Sequence, residues 1–217
     1  RQLLQSNMPC IELNHVRFGY NKNEPVLNGR SFTVKQGESV TLTGRTGAGK
    51  STIFKLILGL YSPDSGSVRV FGVQAGRIPD REKRTLFGYV EQTFRMVPGT
   101  VAEQITLFDS SISRKDAEKA AQIVGLHESI AKLESGYDTP CTESLFSQGE
   151  WQLLSIARAI AADPAILLLD EITANLDSGT EQMVISALKK ASENRTVLSI
   201  SHRLYEQTGG RQINIEE

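Results

Sequence analysis

Cysteine, tryptophan and long apolar runs are all scarce in this sequence. Two cysteines in 217 residues, Cys10 and Cys141, make neither a disulfide framework nor a metal-ligand spacing, and their scarcity fits a reducing compartment. No stretch approaches the ~18 consecutive apolar residues of a membrane span. The longest clean run, I-L-L-L at 166–169, has the length of one buried strand. The start carries no signal-peptide pattern. Neither charge sign is in excess, with 24 basic and 25 acidic residues. The near balance gives no basic surface for nucleic acid and no acidic tail. Internal repeats and low-complexity tracts are absent as well. What remains is enough chain for one large domain, or one domain with a subdomain. The chain begins at Arg1 without a methionine. Residues 1–8 read as a linker remnant, which leaves 9–217 as the folded unit.

The most informative stretch present is G-R-T-G-A-G-K-S-T at 44–52. A glycine, four residues, then Gly49-Lys50-Ser51 is the P-loop pattern. Glycines let backbone turn tightly and bring inward-pointing N–H groups close to an anion. The helix expected to follow offers its unpaired N-terminal N–H groups to the same anion. Lys50 places a point charge on the outer phosphates, and the Ser51 hydroxyl suits Mg²⁺. Gly44, Thr46, Gly47, Ala48, Gly49, Lys50, Ser51 and Thr52 are therefore candidate nucleotide contacts. The loop alone does not separate a kinase, a GTPase, a motor or a transporter engine.

Periodicity places the loop between a strand and a helix. Alternation predicts strands over 11–18, 27–34, 39–43 and 67–71, and a helix over 50–60. A buried strand is expected at 86–90. From 100 to about 133 the pattern is helical, with Ser113 through Asp116 a helix start. Helices follow at 148–162 and 178–192, with strands at 166–169, 196–200 and 213–215. Early strands are separated by turns, while later ones alternate with helices as a parallel sheet requires. The expected class is α/β: a P-loop NTPase core of mixed sheet and flanking helices, an antiparallel β subdomain, and a helical subdomain inserted at about 93–158.

I-L-L-L-D-E at 166–171 supplies a second part of a nucleotide site. A strand buried on both faces is uniformly apolar, and acids at its C-terminal end lie where α/β sheets bind ligands. Asp170 fits a Mg²⁺-associated carboxylate. Glu171 fits the base that orients or deprotonates an attacking water.

At this point the chain resembles the ATP-binding-cassette (ABC) ATPases over about residues 9–202. S-L-F-S-Q-G-E-W-Q-L-L-S-I-A-R-A-I-A at 144–161, followed by A-I-L-L-L-D-E, is similar to their signature helix and Walker B strand. Gly44–Thr52 corresponds to Walker A. Tyr20 in F-G-Y resembles the aromatic that stacks on adenine, a role an aromatic face serves well. Gln92 resembles the glutamine that touches Mg²⁺ and water and links core to helical subdomain. Ser147 and Gly149 stand in the signature loop, Asp177 in the D-loop A-N-L-D, and His202 at the switch histidine. The resemblance implies ATP and Mg²⁺ as ligands, with Ser51, Gln92 and Asp170 on the metal. It also implies a head-to-tail dimer with a second nucleotide-binding domain, the signature loop of each copy closing over the other's ATP.

T-V-A-E-Q-I at 100–105 resembles the T-V-A-E-N-I of exporters, and Y-D-T-P-C-T-E-S at 137–144 their X-loop, with Glu143 in the place of its glutamate. The implied protein is an exporter's nucleotide-binding domain on the cytoplasmic face of the membrane, partnered by a transmembrane domain that this chain lacks. Rival readings are a soluble cassette ATPase acting on a protein assembly and an ATP-gated module with little turnover. Two departures stand out. The signature L-S-G-G-Q is here Phe146-Ser147-Gln148-Gly149-Glu150, which adds a side chain and a negative charge. Only about fifteen residues follow His202, fewer than the family usually carries.

Overall fold

The computed structural model describes residues 9–21, 24–91, 93–171, 176–200 and 209–216. Two sheets organise them. Strands β1 (Ile11–Phe18), β2 (Leu27–Val34), β4 (Ser65–Val70) and β5 (Val73–Gln74) form an antiparallel sheet in the order β2-β1-β4-β5. A parallel sheet runs β6-β7-β8-β3-β9, from β6 (Phe87–Val90), β7 (Ile166–Leu169), β8 (Thr196–Ser199), β3 (Ser39–Thr43) and β9 (Arg211–Asn214).

The alternation of β1 contains a slip with a structural cause. Ile11 and Leu13 are buried, then Val16 and Phe18, so the period of two skips one residue. The pairing with β2 shifts register between Leu13 and Val16. There His15 takes a positive φ of 47° and its N–H donates to Ser31 Oγ at 2.7 Å. One extra residue bulges out and the apolar face is restored beyond it.

Strand β7 is apolar throughout because both of its faces are covered. Ile166 and Leu168 join α1 (Lys50–Ile57) and the antiparallel sheet in one core, with Leu42, Ile53 and Phe54. Leu167 and Leu169 face the second core, built from α3 (Val101–Thr106), α4 (Arg114–Val124), α5 (His127–Ala131), α6 (Gln148–Ile160) and α7 (Ser178–Ser192). Between β6 and β7 the described residues hold helices and no strand, as expected of the inserted helical part. No helix among the described residues is long and apolar enough to cross a membrane.

Several expected boundaries move. The helix predicted over 50–60 stops at Ile57, because Gly59 turns left-handed at φ 68° against the backbone of Ala75. The helical stretch from 100 to 133 is three helices, broken where Leu107 and Gly125 adopt left-handed conformations. Strand β4 begins two residues earlier than expected and ends before Phe71, whose φ is 47°. Strand β9 starts at Arg211 rather than Ile213. Helix α2 (Asp80–Leu86) and strand β5 were not expected. No residue of α2 is buried, so no apolar period announces it.

Candidate functional site

The P-loop leaves β3 at Thr43 and enters α1 at Lys50. Gly49 is needed on two counts. Its φ is 95°, and a Cβ there would lie 2.7 Å from Leu27 Cδ2 and 3.1 Å from Val26 Cγ1. Helix α1 has no side-chain cap and no acid in its first turn, so its leading N–H groups stay available to an anion. Lys50 folds back over the loop, Nζ donating to Gly44 O at 2.6 Å and Arg45 O at 2.8 Å. From the far end of the chain, Glu216 accepts a hydrogen bond from the Arg45 N–H at 2.9 Å and pairs with its guanidinium at 3.2 Å.

A cleft of about 430 Å³ opens beside this loop. Its walls bring together residues from four separate stretches: Tyr20, Val26, the loop residues Thr46, Gly47, Gly49, Lys50, Ser51 and Thr52, and Asp170 with Glu171. Gly44 and Ala48 belong to the loop but not to the cleft wall. A larger hollow of about 740 Å³, lined by Asp163, Pro164 and Arg195 among others, lies at the opposite end of β7. The carboxyl ends of parallel strands, where the smaller cleft sits, are the ligand-binding side of such sheets.

Tyr20 is 48% exposed, which leaves it accessible to a base. It meets Phe18 and Tyr61 edge-on at 5.1 and 5.5 Å. Its hydroxyl contacts Thr52 Oγ1 and Lys55 Nζ, each at 3.2 Å. Burial works to raise the phenol pKa, but these two partners and the Lys55 charge outweigh it and hold it below the ordinary value.

Asp170 and Glu171 extend from the end of β7. Tyr89 on neighbouring β6 donates its hydroxyl to Asp170 Oδ2 at 3.0 Å, a contact the sequence reading did not include. Burial, then the Asp170 charge, push the Tyr89 phenol well up, so it remains a donor near neutral pH. Glu171 adopts φ 45°, a left-handed backbone unusual for a side chain of this kind. Ser51 and Asp170 in one cleft are hard oxygen donors of the kind Mg²⁺ takes alongside substrate phosphates. Of the other candidates for chemistry, Gln92 and His202 lie outside the described residues.

Ser147, Gly149 and Asp177 stand elsewhere, at two adjoining helix starts. Ser147 caps α6 and Asp177 caps α7. Gly149 is buried between them: a Cβ on it would lie 2.6 Å from Met183 Cε and 2.8 Å from Thr180 Cγ2. Gln148 is exposed. The added charge of Glu150 has a local use, because its carboxylate accepts from the Ser147 N–H at 3.0 Å while Ser147 Oγ accepts from the Glu150 N–H at 3.3 Å. That is a reciprocal capping box. Burial opposes the Glu150 charge, yet hydrogen bonds from Ser147 and Ser129 hold its pKa below the ordinary carboxylate value.

Stability from a depressed carboxylate is present above its unfolded pKa of about 4.3 and is lost as pH falls through the folded value. Glu150→Gln is therefore expected to destabilise by about 0.5–1 kcal/mol at pH 7. In thermal melts across pH, the gap to the parent should close below about pH 4.

The family model for "ABC transporter" matches residues 27–174. The chain belongs to the ABC transporter family. Among its relatives, it is 39% identical over 210 residues to a mycobactin import ATP-binding/permease protein of Mycolicibacterium smegmatis, covering 96% of this chain and 24% of that protein. It is 36% identical over 200 residues to an ATM1-type heavy metal exporter of Novosphingobium aromaticivorans, covering 91% and 33%. Among solved structures, a bacterial Atm1-family ABC exporter with ATP bound superposes with a TM-score of 0.82 at 34% identity, over 97% of this chain and 37% of that one. This ABC chain thus spans a quarter to a third of the length of these curated relatives. It is an ATP-binding domain, and ATPase activity is general to the family.

Proposed function

We propose that this ABC domain binds and hydrolyses Mg²⁺-ATP as one half of a head-to-tail dimer and powers export of a substrate through a transmembrane partner at the cytoplasmic face of a membrane. One observation carries the dimer: Ser147 and Gly149 are not among the residues lining the cleft beside Lys50, Asp170 and Glu171. The capping box takes the Ser147 and Glu150 N–H groups, but the Ser147 hydroxyl proton and the Gln148 N–H are not part of it and are left for the nucleotide of a second copy. In an isologous pair each patch then serves its twin.

In this reading Tyr20 holds the adenine and the loop 44–52 cradles the phosphates. Lys50 offsets charge on the outer phosphates. Ser51, Gln92 and Asp170 would hold Mg²⁺, which when bound neutralises phosphate charge. Tyr89 aims the Asp170 carboxylate by its hydrogen bond. Glu171 accepts the proton of the attacking water, and His202 donates to the γ-phosphate. Exporter-like stretches at 100–105 and 137–144 support the direction of transport. ATP contributes contacts that only the closed pair can make, so it shifts the population toward closure.

Sedimentation velocity of Glu171→Gln tests the dimer. A dimer with Mg²⁺-ATP and a monomer with Mg²⁺-ADP is expected. A monomer in both, with ATP still bound, would remove the trans role of Ser147.

A further inference from the structure

Two residues beyond Gln92, the Phe94 ring touches two side chains of α6. The Trp151 ring lies 4.9 Å away, tilted 31°, and the Arg158 guanidinium sits 4.1 Å from the Phe94 centroid. Trp151 reaches on toward the signature loop. It meets Phe146 edge-on at 5.2 Å, and its indole N–H donates to Glu143 O at 3.4 Å. Phe146 directly precedes Ser147.

Arg158 ties the same segment by hydrogen bonds. Its Nε donates to Gln104 O at 2.6 Å and its Nη1 to Arg95 O at 2.9 Å. Gln104, fully buried on α3, clamps the next piece of backbone: Nε2 donates to Val97 O at 2.7 Å and Oε1 accepts from the Val97 N–H at 2.9 Å. Burial lowers the Arg158 pKa to about 10, so the guanidinium is still charged at neutral pH. Residues 94–97 are thereby held by α3 and α6. Packed rings and a half-buried cation on carbonyl oxygens form a stiff joint rather than a sliding one.

We propose that Phe94, Trp151 and Arg158 are positioning residues for the ATPase reaction, locking segment 94–97 to α6 so that the loop at 143–149 is set by the stretch that follows Gln92. The effect on turnover rests on the reading of Ser147 as a nucleotide contact in the partner copy. None of the three lines the cleft, so they act through the loop and not on ATP. Phe94 is the key member, because one ring touches both of the others.

The test compares the parent chain, Phe94→Ala and Phe94→Tyr by three measurements: ATP affinity, steady-state kinetics and amide hydrogen exchange. Phe94→Ala is expected to bind ATP as the parent does and to lose about ten- to a hundredfold in kcat. It should also exchange faster at amides 143–149 while the P-loop amides are unchanged. Phe94→Tyr keeps the ring and should restore both properties. An unchanged kcat, or unchanged exchange at 143–149, overturns the proposal. So does a matching loss of ATP affinity and P-loop protection, which would make Phe94 an ordinary packing residue. If the Glu171→Gln parent stays monomeric with ATP, the trans reading fails instead, and the exchange comparison still decides whether Phe94 sets the loop.

Discussion

Glu171→Gln is expected to slow ATP turnover on the order of 10²–10⁴-fold while leaving ATP bound, the loss typical of removing a general base. Glutamine keeps the shape of the side chain and removes its ability to take a proton. The backbone at Glu171 sharpens the expectation. A left-handed φ of 45° on a non-glycine residue costs roughly 1–3 kcal/mol unless its surroundings enforce it. Here it sits at the mouth of the cleft, directly after the hydrogen-bonded Asp170. Single-turnover kinetics beside equilibrium binding separates the two effects. Full-rate hydrolysis by Glu171→Gln would mean that the proton goes to another group.

Lys50→Ala is expected to cost on the order of 10²–10³-fold in kcat, the loss seen when one preorganised donor is taken from a developing charge. ATP affinity should fall as well. The ammonium is already held at the cleft by Gly44 O and Arg45 O, so little reorganisation precedes its use. Arginine is not a conservative replacement at this position. A planar fork does not reproduce a compact charge seated between two carbonyls, and Lys50→Arg should recover little of the loss. The check is kcat together with ATP affinity for all three chains. Wild-type values for Lys50→Ala would remove Lys50 from the site.

Much of this molecule was legible in the sequence where physics acts locally. Strands β1, β2, β3 and β7 begin and end where their apolar patterns do. Helix α7 runs over its expected span, started by the Asp177 cap. The nucleotide loop announced itself because its glycines, lysine and serine are contiguous. Helix α2 did not, since D-R-E-K-R-T-L buries nothing and leaves no period to read. What escaped at the site was non-local. The Tyr89–Asp170 bond spans 81 residues and the Glu216–Arg45 contact spans 171, and no short pattern encodes either. The Trp151–Phe94 contact escaped for the same reason. Gly149 is marked in the sequence only by its place in the signature loop, and its tight fit against α7 is visible only with both helices in place.

The position of β3 has a consequence for how the chain is made. Its neighbours in the sheet are β8 on one side and β9 on the other. Thr41 and Ser199, whose hydroxyls meet across one of those pairings, are 158 residues apart. At about 5–20 residues per second, a ribosome leaves β3 without a parallel partner for roughly ten to thirty seconds. The antiparallel sheet needs nothing beyond Gln74 and can form in that interval. Val40 and Leu42, fully buried at the end, can meet α1 and the antiparallel sheet early but wait for Ile166, Leu168 and Leu198 to complete their core. The loop that follows β3 gains its rigid base only when β8 and β9 arrive, so nucleotide capture would follow the emergence of both strands rather than precede it.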